Sequence, residues 1–539
     1  MRISLFGKSL LLLGLICAVP ASHAQTGKKA DSSVQAAPSV SAKELQALHV
    51  LNRLGYGPSP GDIDRVLQKG VEAYIQQQLH PESLQMSAAL SERLMAVPDI
   101  HSTDAALYAD YGPPQRKAAA GDQAKIKAVT QRQNQVADAA REAHLLRAVY
   151  SPAQLQETMV DFWFNHFNVF AGKGQETKIW TGNFERDAIR PHVFGRFRDL
   201  LGATAKHPAM LNYLDNQKST SERIAKNGKK LGGLNENYAR EVMELHTLGV
   251  DDGYTQADVT ALARIFTGWG YDPKRLVDGV DPAFFFNSKK HDENEKKFLG
   301  NTFAAGGGEE EGERALDLLA AHPATTRHLS YKIAQYFVAD SPPPQLVEKL
   351  AKRWRETGGD VGKVLDTLFK SPEFWSADAV GKKFKTPWQY LVSSLRATGL
   401  PMVTNVKPLL GMLRQNGQTL YGCTTPDGYK NTQAEWLNSD ALILRLNFAN
   451  ALGSGNLPLW KSLPTAAASS MSADDNAGMM AMIEKQPELT ASKARAADPF
   501  LMQAALGNAF SQNTLDAWAI ARPQLRAGLI LGSPEFMRR

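Results

Sequence analysis

Apolar side chains recur every three or four positions along most of the chain after residue 41, which is the spacing of one face of an α-helix. This pattern predicts helices over residues 42–54, 61–67 and 71–78, and a long Ala-, Gln- and Lys-rich helix over 118–149. The alternating patterns that are typical of strands are scarce. The sequence therefore predicts a mainly α fold, a single large multi-helix domain with long loops and little or no sheet.

The first 24 residues have the pattern of an export signal. Arg2 and Lys8 precede an apolar run over residues 10–19, and the small residues Ser22 and Ala24 stand where a signal peptidase requires them. We therefore expect an exported protein, periplasmic or extracellular, that is cleaved after Ala24. The apolar run is shorter than the roughly 20 residues of a membrane-spanning helix. No comparable run follows, so no transmembrane segment is expected in the mature chain.

Composition changes along the rest of the chain mark its loops. Residues 25–41 are rich in Ala, Ser, Lys and Gln without apolar periodicity, which predicts a flexible linker. Between residues 42 and 539 no change in composition is strong enough to separate two domains. We expect one α-helical domain with a loop insertion near residues 464–499, where Ala, Ser and Met dominate.

The charge of the chain argues against nucleic-acid binding, and its cysteine content excludes an intramolecular disulfide in the mature chain. The chain has 61 basic and 55 acidic side chains, and removal of Arg2 and Lys8 with the signal leaves 59 against 55, a formal net charge of +4. No dense basic run with interleaved aromatic residues occurs, so nucleic acid is not an expected partner. Cys423 is the single cysteine of the mature chain. It cannot form an intramolecular disulfide, and a large core must stabilise the protein.

The segment from Asn237 to His246 is the strongest candidate for chemistry. On a helix, Asn237, Glu241 and Glu244 share one face. In a poorly hydrated pocket, the two carboxylates would raise each other's pKa and could act as acid and base. The alternative is a surface ion pair between Arg240 and Glu244, four residues apart. His246 lies on the apolar side of this helix, which favours a buried structural role.

A second candidate is the aromatic segment over residues 161–170. Asn165, His166 and Asn168 are polar groups among five aromatic residues. Such groups must find hydrogen-bond partners if they are buried, and the partner can be substrate, metal or backbone. A role in the core or in capping is favoured for His166 over chemistry.

A third candidate is His291, in a loop between two buried segments. Functional residues concentrate in such loops, although a solvated charged loop is an equal alternative. The sequence contains no His-Glu-x-x-His, Cys-x-x-Cys or Gly-x-Ser-x-Gly motif and no phosphate-binding glycine-rich loop. Motifs therefore assign neither a metal nor a cofactor to this chain.

Several separated motifs, in the same order, resemble the bacterial family called domain of unknown function 1800. They lie at residues 49–58, 163–167, 235–249, 253–259, 291–300, 322–325 and 533–536. The resemblance covers nearly all of the mature chain. It implies an exported, mainly helical protein, often encoded beside a second secreted family that resembles sulfatases, and it assigns no reaction. The family's motifs fall here on Arg53, Asn237, Arg240, Glu241, Glu244, His246 and His291.

Two functions from different classes remain open. The first is an exported hydrolase of a polar envelope or extracellular polymer, with Glu241, Glu244 and His166 as catalytic residues and Asn237, Arg240, His246 and His291 as binding residues. The second is a non-catalytic helical scaffold that binds a partner, such as the co-encoded secreted sulfatase-like protein. Convergence of these side chains on one open cavity would favour the enzyme, and dispersal would favour the scaffold.

Overall fold

Helices form most of the scaffold in the part of the chain that the structure describes, as local sequence signals predict. The computed structural model describes residues 41–224, 230–250, 253–460, 496–507 and 509–539. The expected signal peptide, most of the linker and most of the loop insertion lie outside these ranges. Val40–Arg539 forms one compact unit. The prediction of a mainly α fold is confirmed.

The N-terminal part of the described chain is helical up to the first hairpin. Its α-helices are α1 (Ala42–Leu54), α2 (Asp62–Lys69), α3 (Val71–Leu79), α4 (Ala88–Met95), α5 (Asp104–Tyr111), α6 (Pro113–Ala118), α7 (Gln123–Tyr150), α8 (Gln154–His166), α9 (Gln175–Asn183), α10 (Phe197–Lys206) and α11 (Pro208–Tyr213). A π-helical turn, Phe184–Ile189, continues α9. Short 3₁₀ turns occupy Pro81–Ser83, Ala171–Lys173, Arg190–His192 and Asn216–Lys218.

Three antiparallel hairpins supply the strands among the described residues. They pair β1 (Arg223–Ile224) with β2 (Lys230–Leu231), β3 (Trp269–Tyr271) with β4 (Phe284–Phe286), and β5 (Lys296–Phe298) with β6 (Asn301–Phe303). Between them lie α12 (Asn237–Glu241), the π-helical turn Val242–His246, α13 (Gln256–Ile265), α14 (Pro273–Val277) and a 3₁₀ turn, Ser288–Lys290.

The C-terminal part is again helical. Its helices are α15 (Glu310–Ala321), α16 (Pro323–Phe337), α17 (Pro344–Glu356), α18 (Val361–Phe369), α19 (Pro387–Thr398), α20 (Lys407–Gln415), α21 (Gln433–Trp436), α22 (Ser439–Gly453), α23 (Pro499–Leu506), α24 (Gln512–Ile520) and α25 (Pro523–Gly532). No helix of the described ranges combines the length and the apolar content that crossing a bilayer requires.

Local signals explain where several helices begin. Ser41 and Glu44 form a capping box at α1, in which each side chain accepts a hydrogen bond from the other residue's backbone N–H. The predicted helix over residues 118–149 is divided into α6 and α7. Gly121 has a φ of 88°, and the Asp122 side chain then caps α7 by accepting from Lys125 N.

The buried side chains form two hydrophobic clusters among the described residues. The larger is built mainly from α1–α3 and α8–α18, and the smaller from α4, the end of α7 and α19–α25. Trp163 lies fully buried in the first cluster, and Trp388 lies in the second. The side chains of α8 and α19 approach each other where the clusters meet, and the candidate site opens there.

Candidate functional site

A cavity of about 340 Å³ lies between α8, the π-helical turn Val242–His246, α16, the start of α19 and the loop over residues 418–431. Its volume is in the range of small-molecule sites. Acids, cations, amides and aromatic rings all line it. Its ionisable side chains include Asp161, His166, Glu244, His328, Lys332, Asp427 and Lys430. The sequence candidates His166 and Glu244 therefore share one open cavity.

His166 ends α8 and has both ring nitrogens engaged. The distance from Nε2 to the backbone oxygen of His246 is 3.1 Å, and Lys332 Nζ lies 2.8 Å from Nδ1. Because a carbonyl oxygen only accepts, Nε2 carries the ring proton and Nδ1 accepts from the lysine. Burial, followed by the charge of Lys332, lowers the pKa of His166 well below its usual value. The neutral imidazole therefore orients Lys332 in the cavity wall.

Lys332 itself is poised to exchange protons near neutral pH. Burial lowers the pKa of this amine to about 8, the charge of Lys430 lowers it further, and Asp427 opposes the change. At mildly alkaline pH the ammonium and the free amine are both populated. The side chain can then donate or accept a proton while it stays hydrogen-bonded to His166.

Two carboxyl groups of the cavity have pKa values that are shifted in opposite directions. Burial raises the pKa of Asp161 to about 6, although His144 and Arg539 oppose the shift. Burial would also raise the pKa of Asp427, but hydrogen bonds from Lys430 and Thr425 outweigh it and lower that pKa. Near neutral pH Asp161 is therefore still partly protonated, whereas Asp427 is ionised. Such a pair suits general acid and base chemistry.

The two asparagines of the aromatic segment hold the cavity loop in place. Asn165 donates to Tyr429 O at 2.9 Å and accepts from Tyr429 N at 2.8 Å. Asn168 donates to the backbone oxygens of Cys423 and Thr425 at 3.0 and 2.8 Å. The sequence left substrate, metal or backbone as possible partners of these asparagines, and in the structure the partners are backbone groups. These contacts fix the loop that carries Asp427 and Lys430.

Gly428 is required at the closest point between this loop and α8. Its φ is 70°, in the left-handed region, and an added Cβ would lie 2.1 Å from Asn165 O. A larger residue would separate the loop from the helix. The loop position of the neighbouring Asp427 therefore depends on this glycine.

A buried network of charges supports the cavity wall. Glu185 accepts from Tyr421 Oη at 2.5 Å, lies 2.6 Å from His144 Nδ1, and pairs with Arg190 at 3.0 Å. Arg190 also pairs with both oxygens of Glu157 at 2.8 and 2.9 Å. Burial opposes ionisation of Glu185, but His144 and Arg190 outweigh it and lower its pKa. Because Tyr421 lines the cavity, this network fixes part of its wall.

The predicted site helix contributes Glu244 to the cavity, but Glu241 is not among the lining residues. Arg240 Nη1 lies 3.4 Å from Glu244 Oε1, so the ion pair that was the alternative interpretation is present. The π-helical turn over Val242–His246 adds a residue to the helical repeat, which changes the face that Glu244 occupies relative to Glu241. An analysis at 3.6 residues per turn could not detect this shift.

The remaining sequence candidates make structural contacts. Asn237 Nδ2 donates to Leu214 O at 3.3 Å, which joins α12 to the end of α11. His246 is buried against Phe167, and burial lowers its pKa to about 3. His291 is also buried, with Nδ1 2.8 Å from Thr267 O, and it does not line the cavity. None of Asn237, His246 and His291 lines the cavity, although the His246 ring lies 5.9 Å from that of His166.

Several ionisable residues of the cavity were not candidates from the sequence, among them Asp161, Lys332, Asp427 and Lys430. A signal existed for the first of them, because Asp161 and Asn165 are four residues apart on α8 and share a helical face. Lys332 and Asp427 carry no comparable local signal. Among the described residues, no three His, Cys, Asp or Glu side chains converge as they would around a metal ion.

Glu241→Gln is expected to stabilise the protein slightly at neutral pH, by no more than about 0.5 kcal/mol. Burial, with the charge of Glu244, raises the pKa of Glu241 above its unfolded value. Ionisation therefore destabilises the folded state as pH rises, and glutamine removes that penalty. Urea denaturation at pH 4 and pH 7 measures the difference. A large loss of stability at pH 7 would contradict this account.

Comparison with known proteins assigns the chain to a family but assigns it no activity. No curated protein and no solved structure matches this chain. Residues 49–538 match a family model described as Protein of unknown function (DUF1800). The match includes α8, the Asn237 helix, α16 and the cavity loop. Because it covers most of the chain, this protein belongs to the DUF1800 family.

Proposed function

We propose that the cavity is the active site of a hydrolase that acts on a hydroxyl-rich polymer, such as a glycan of the cell envelope or its surroundings. The observation that carries the proposal is the convergence of Asp161, Glu244, Lys332 and Asp427 on one open cavity. The sequence pattern of residues 1–24 supports action outside the cytoplasm.

The roles in this reaction follow from the two shifted carboxyl groups. Asp161, with a pKa of about 6, donates a proton to the leaving oxygen as the bond to it breaks. Asp427, whose pKa is lowered, accepts a proton from the water that attacks the other side of that bond. Water is consumed and two shorter chains result. Lys332, which His166 orients, donates a hydrogen bond to a hydroxyl group of the bound polymer.

The other walls of the cavity suit a ligand with many hydroxyl groups and an apolar ring face. Gln335, Gln389 and Gln418 line the cavity with Tyr331 and Tyr429. Each of the three amides already makes a hydrogen bond within the protein, with Asp340 O, Tyr336 Oη and Trp388 N respectively, and keeps further donor or acceptor capacity. Amides can both donate and accept hydrogen bonds, whereas aromatic rings contact the apolar face of a ring. This combination favours a carbohydrate over an apolar metabolite.

The test is a screen of polymers for new reducing ends. The purified protein is incubated with a cell-wall glycan, a neutral glucan and a polyuronate at pH 4 to 9. We expect cleavage of one class, with a rate that falls above about pH 6 as Asp161 loses its proton. Absence of both binding and cleavage for all three classes would overturn the proposal, as would a rate that is constant from pH 6 to 9.

A second candidate function is binding of a partner protein, for which the co-encoded sulfatase-like protein is the first choice. The observation in its favour is an exposed apolar surface on α23–α25 that includes Phe500, Leu525 and Ile520, the last 89% exposed. Exposed apolar patches of this kind often mark interfaces. The test is copurification of the two proteins, which Ile520→Asp should abolish while hydrolysis is retained.

A further inference from the structure

A second cavity, of about 370 Å³, shares no lining residue with the candidate active site, and Arg539 joins the two by donating to Tyr336 O at 2.8 Å. It is formed by α1, residues 380–385, the end of α23 and residues 534–539. Leu45, Leu48, Leu506, Phe510 and Phe536 make one side apolar. Lys385 and Arg539 also line it. The cavity therefore combines an apolar wall with an arginine and with a lysine whose pKa burial and the charge of Arg539 hold well below its usual value.

The two basic side chains of this cavity are buried almost completely. The exposed fraction of both Lys385 and Arg539 is 3%, and that of the nearby Arg53 is 0%. Lys385 Nζ donates to Ser393 Oγ at 2.7 Å and lies 4.0 Å from the centre of the Phe536 ring. Neither partner is an anion. Buried charges are normally paired, because removal of an isolated ion from water is costly.

Several guanidinium donors remain without a partner within the part of the chain that the structure describes. Arg539 Nε has no hydrogen-bond acceptor, although Nη2 of the same guanidinium donates to Tyr336 O at 2.8 Å. Arg53 Nε and Nη1 also lack an acceptor, but Arg53 does not line this cavity. The carboxylate of Glu535 lines the same cavity, but it accepts hydrogen bonds from Ser511 N and Thr514 Oγ1. An acceptor that enters the cavity beside Arg539 would satisfy this unpaired Nε–H.

We propose that this second cavity binds an amphiphilic carboxylate, with its charged end at Arg539 and Lys385 and its aliphatic chain against Leu48, Leu506 and Phe536. A guanidinium matches the geometry of a carboxylate through parallel N–H···O bonds. The apolar wall adds affinity in proportion to the chain area that it covers. The cavity volume limits the ligand to a medium-chain acid.

Isothermal titration calorimetry with octanoate tests the site in the whole protein. We expect octanoate to bind at least tenfold more tightly than 1-octanol, acetate or octylammonium. Binding of octylammonium as tight as that of octanoate would overturn the anionic assignment. If acetate bound as tightly as octanoate, the apolar wall would add no affinity. If 1-octanol bound as tightly as octanoate, Lys385 and Arg539 would add none, and either result would contradict the proposal.

Variants separate this site from the candidate active site. Lys385→Met and Arg539→Met should each weaken octanoate binding at least tenfold, while Lys382→Met, which removes an exposed neighbouring lysine, should leave it unchanged. Lys385→Met removes a buried basic group and is expected to keep the fold. Asp427→Asn, at the candidate active site, should not change octanoate binding. Retention of full affinity by folded Lys385→Met and Arg539→Met proteins would sink the proposal.

Discussion

Asp161→Asn is expected to lower kcat/KM by about 10²–10⁴-fold, the contribution of a well-placed general acid. Asparagine has the same shape as aspartate, but it cannot deliver a proton to the leaving oxygen. The loss should appear mainly in kcat, since polar contacts to the bound substrate are kept. The measurement is the release of reducing ends from the polymer class that the wild-type protein cleaves.

Stability distinguishes this catalytic role from a structural one. The folded pKa of Asp161 is about 6, above the unfolded value near 3.9. Its ionisation therefore destabilises the folded state as pH rises from about 4 to 6, and the full penalty is present above pH 6. Asp161→Asn should consequently be at least as stable as wild type at pH 8. The exposed control Asp278→Asn should keep both activity and stability. An inactive Asp161→Asn protein that has also unfolded would support only a structural role.

Arg190→Met is expected to destabilise the fold by about 3–5 kcal/mol, the cost of leaving buried charges without their partner. Arg190 holds the carboxylates of Glu157 and Glu185, and both of these are buried. Its removal leaves two acids close together without their shared cation. Chemical denaturation at pH 7 measures the loss of free energy of unfolding.

The loss of stability in Arg190→Met should depend on pH, which gives a second test. The pKa of Glu185 is lowered in the folded state, so its interactions stabilise the protein above the unfolded value near 4.3. This stabilisation is lost as pH falls through the range below about 4. The difference between wild type and Arg190→Met should thus narrow at pH 3. The exposed ion pair of Arg327 and Glu348 provides the control, since Arg327→Met should change stability by less than about 1 kcal/mol. Equal effects of the two substitutions would contradict the proposed importance of burial.

Helices could be predicted from the sequence because their causes are local. The capping box of Ser41 and Glu44 and the apolar spacing after it place α1 without reference to the rest of the chain. The same logic failed between residues 118 and 123, where Gly121 takes a left-handed conformation and Asp122 starts a new helix. A single glycine costs a helix only about 1 kcal/mol, so the pattern alone did not indicate the break.

The candidate site could be predicted in part. His166 and Glu244 were identified from their motifs, and both line the cavity. The partner of Glu244 was expected to be Glu241, but the π-helical turn that begins at Val242 changes their relative orientation. π-helical turns depend on packing around the helix and leave no clear periodic signal. The apparent pair of glutamates was therefore not a reliable guide to the acid and base.

The sequence by itself determined the helical class, the family and the segments that carry polar residues into the core. The tertiary structure alone decided which of these polar residues meet. Asp161, Lys332 and Asp427 are separated by more than 90 residues along the chain, yet they line one cavity. Their approach depends on long-range contacts such as the two hydrogen bonds between the Asn165 side chain and the Tyr429 backbone. Helix formation is governed by neighbours within a few positions, whereas burial, pKa shifts and acid–base pairing arise only after distant segments pack together.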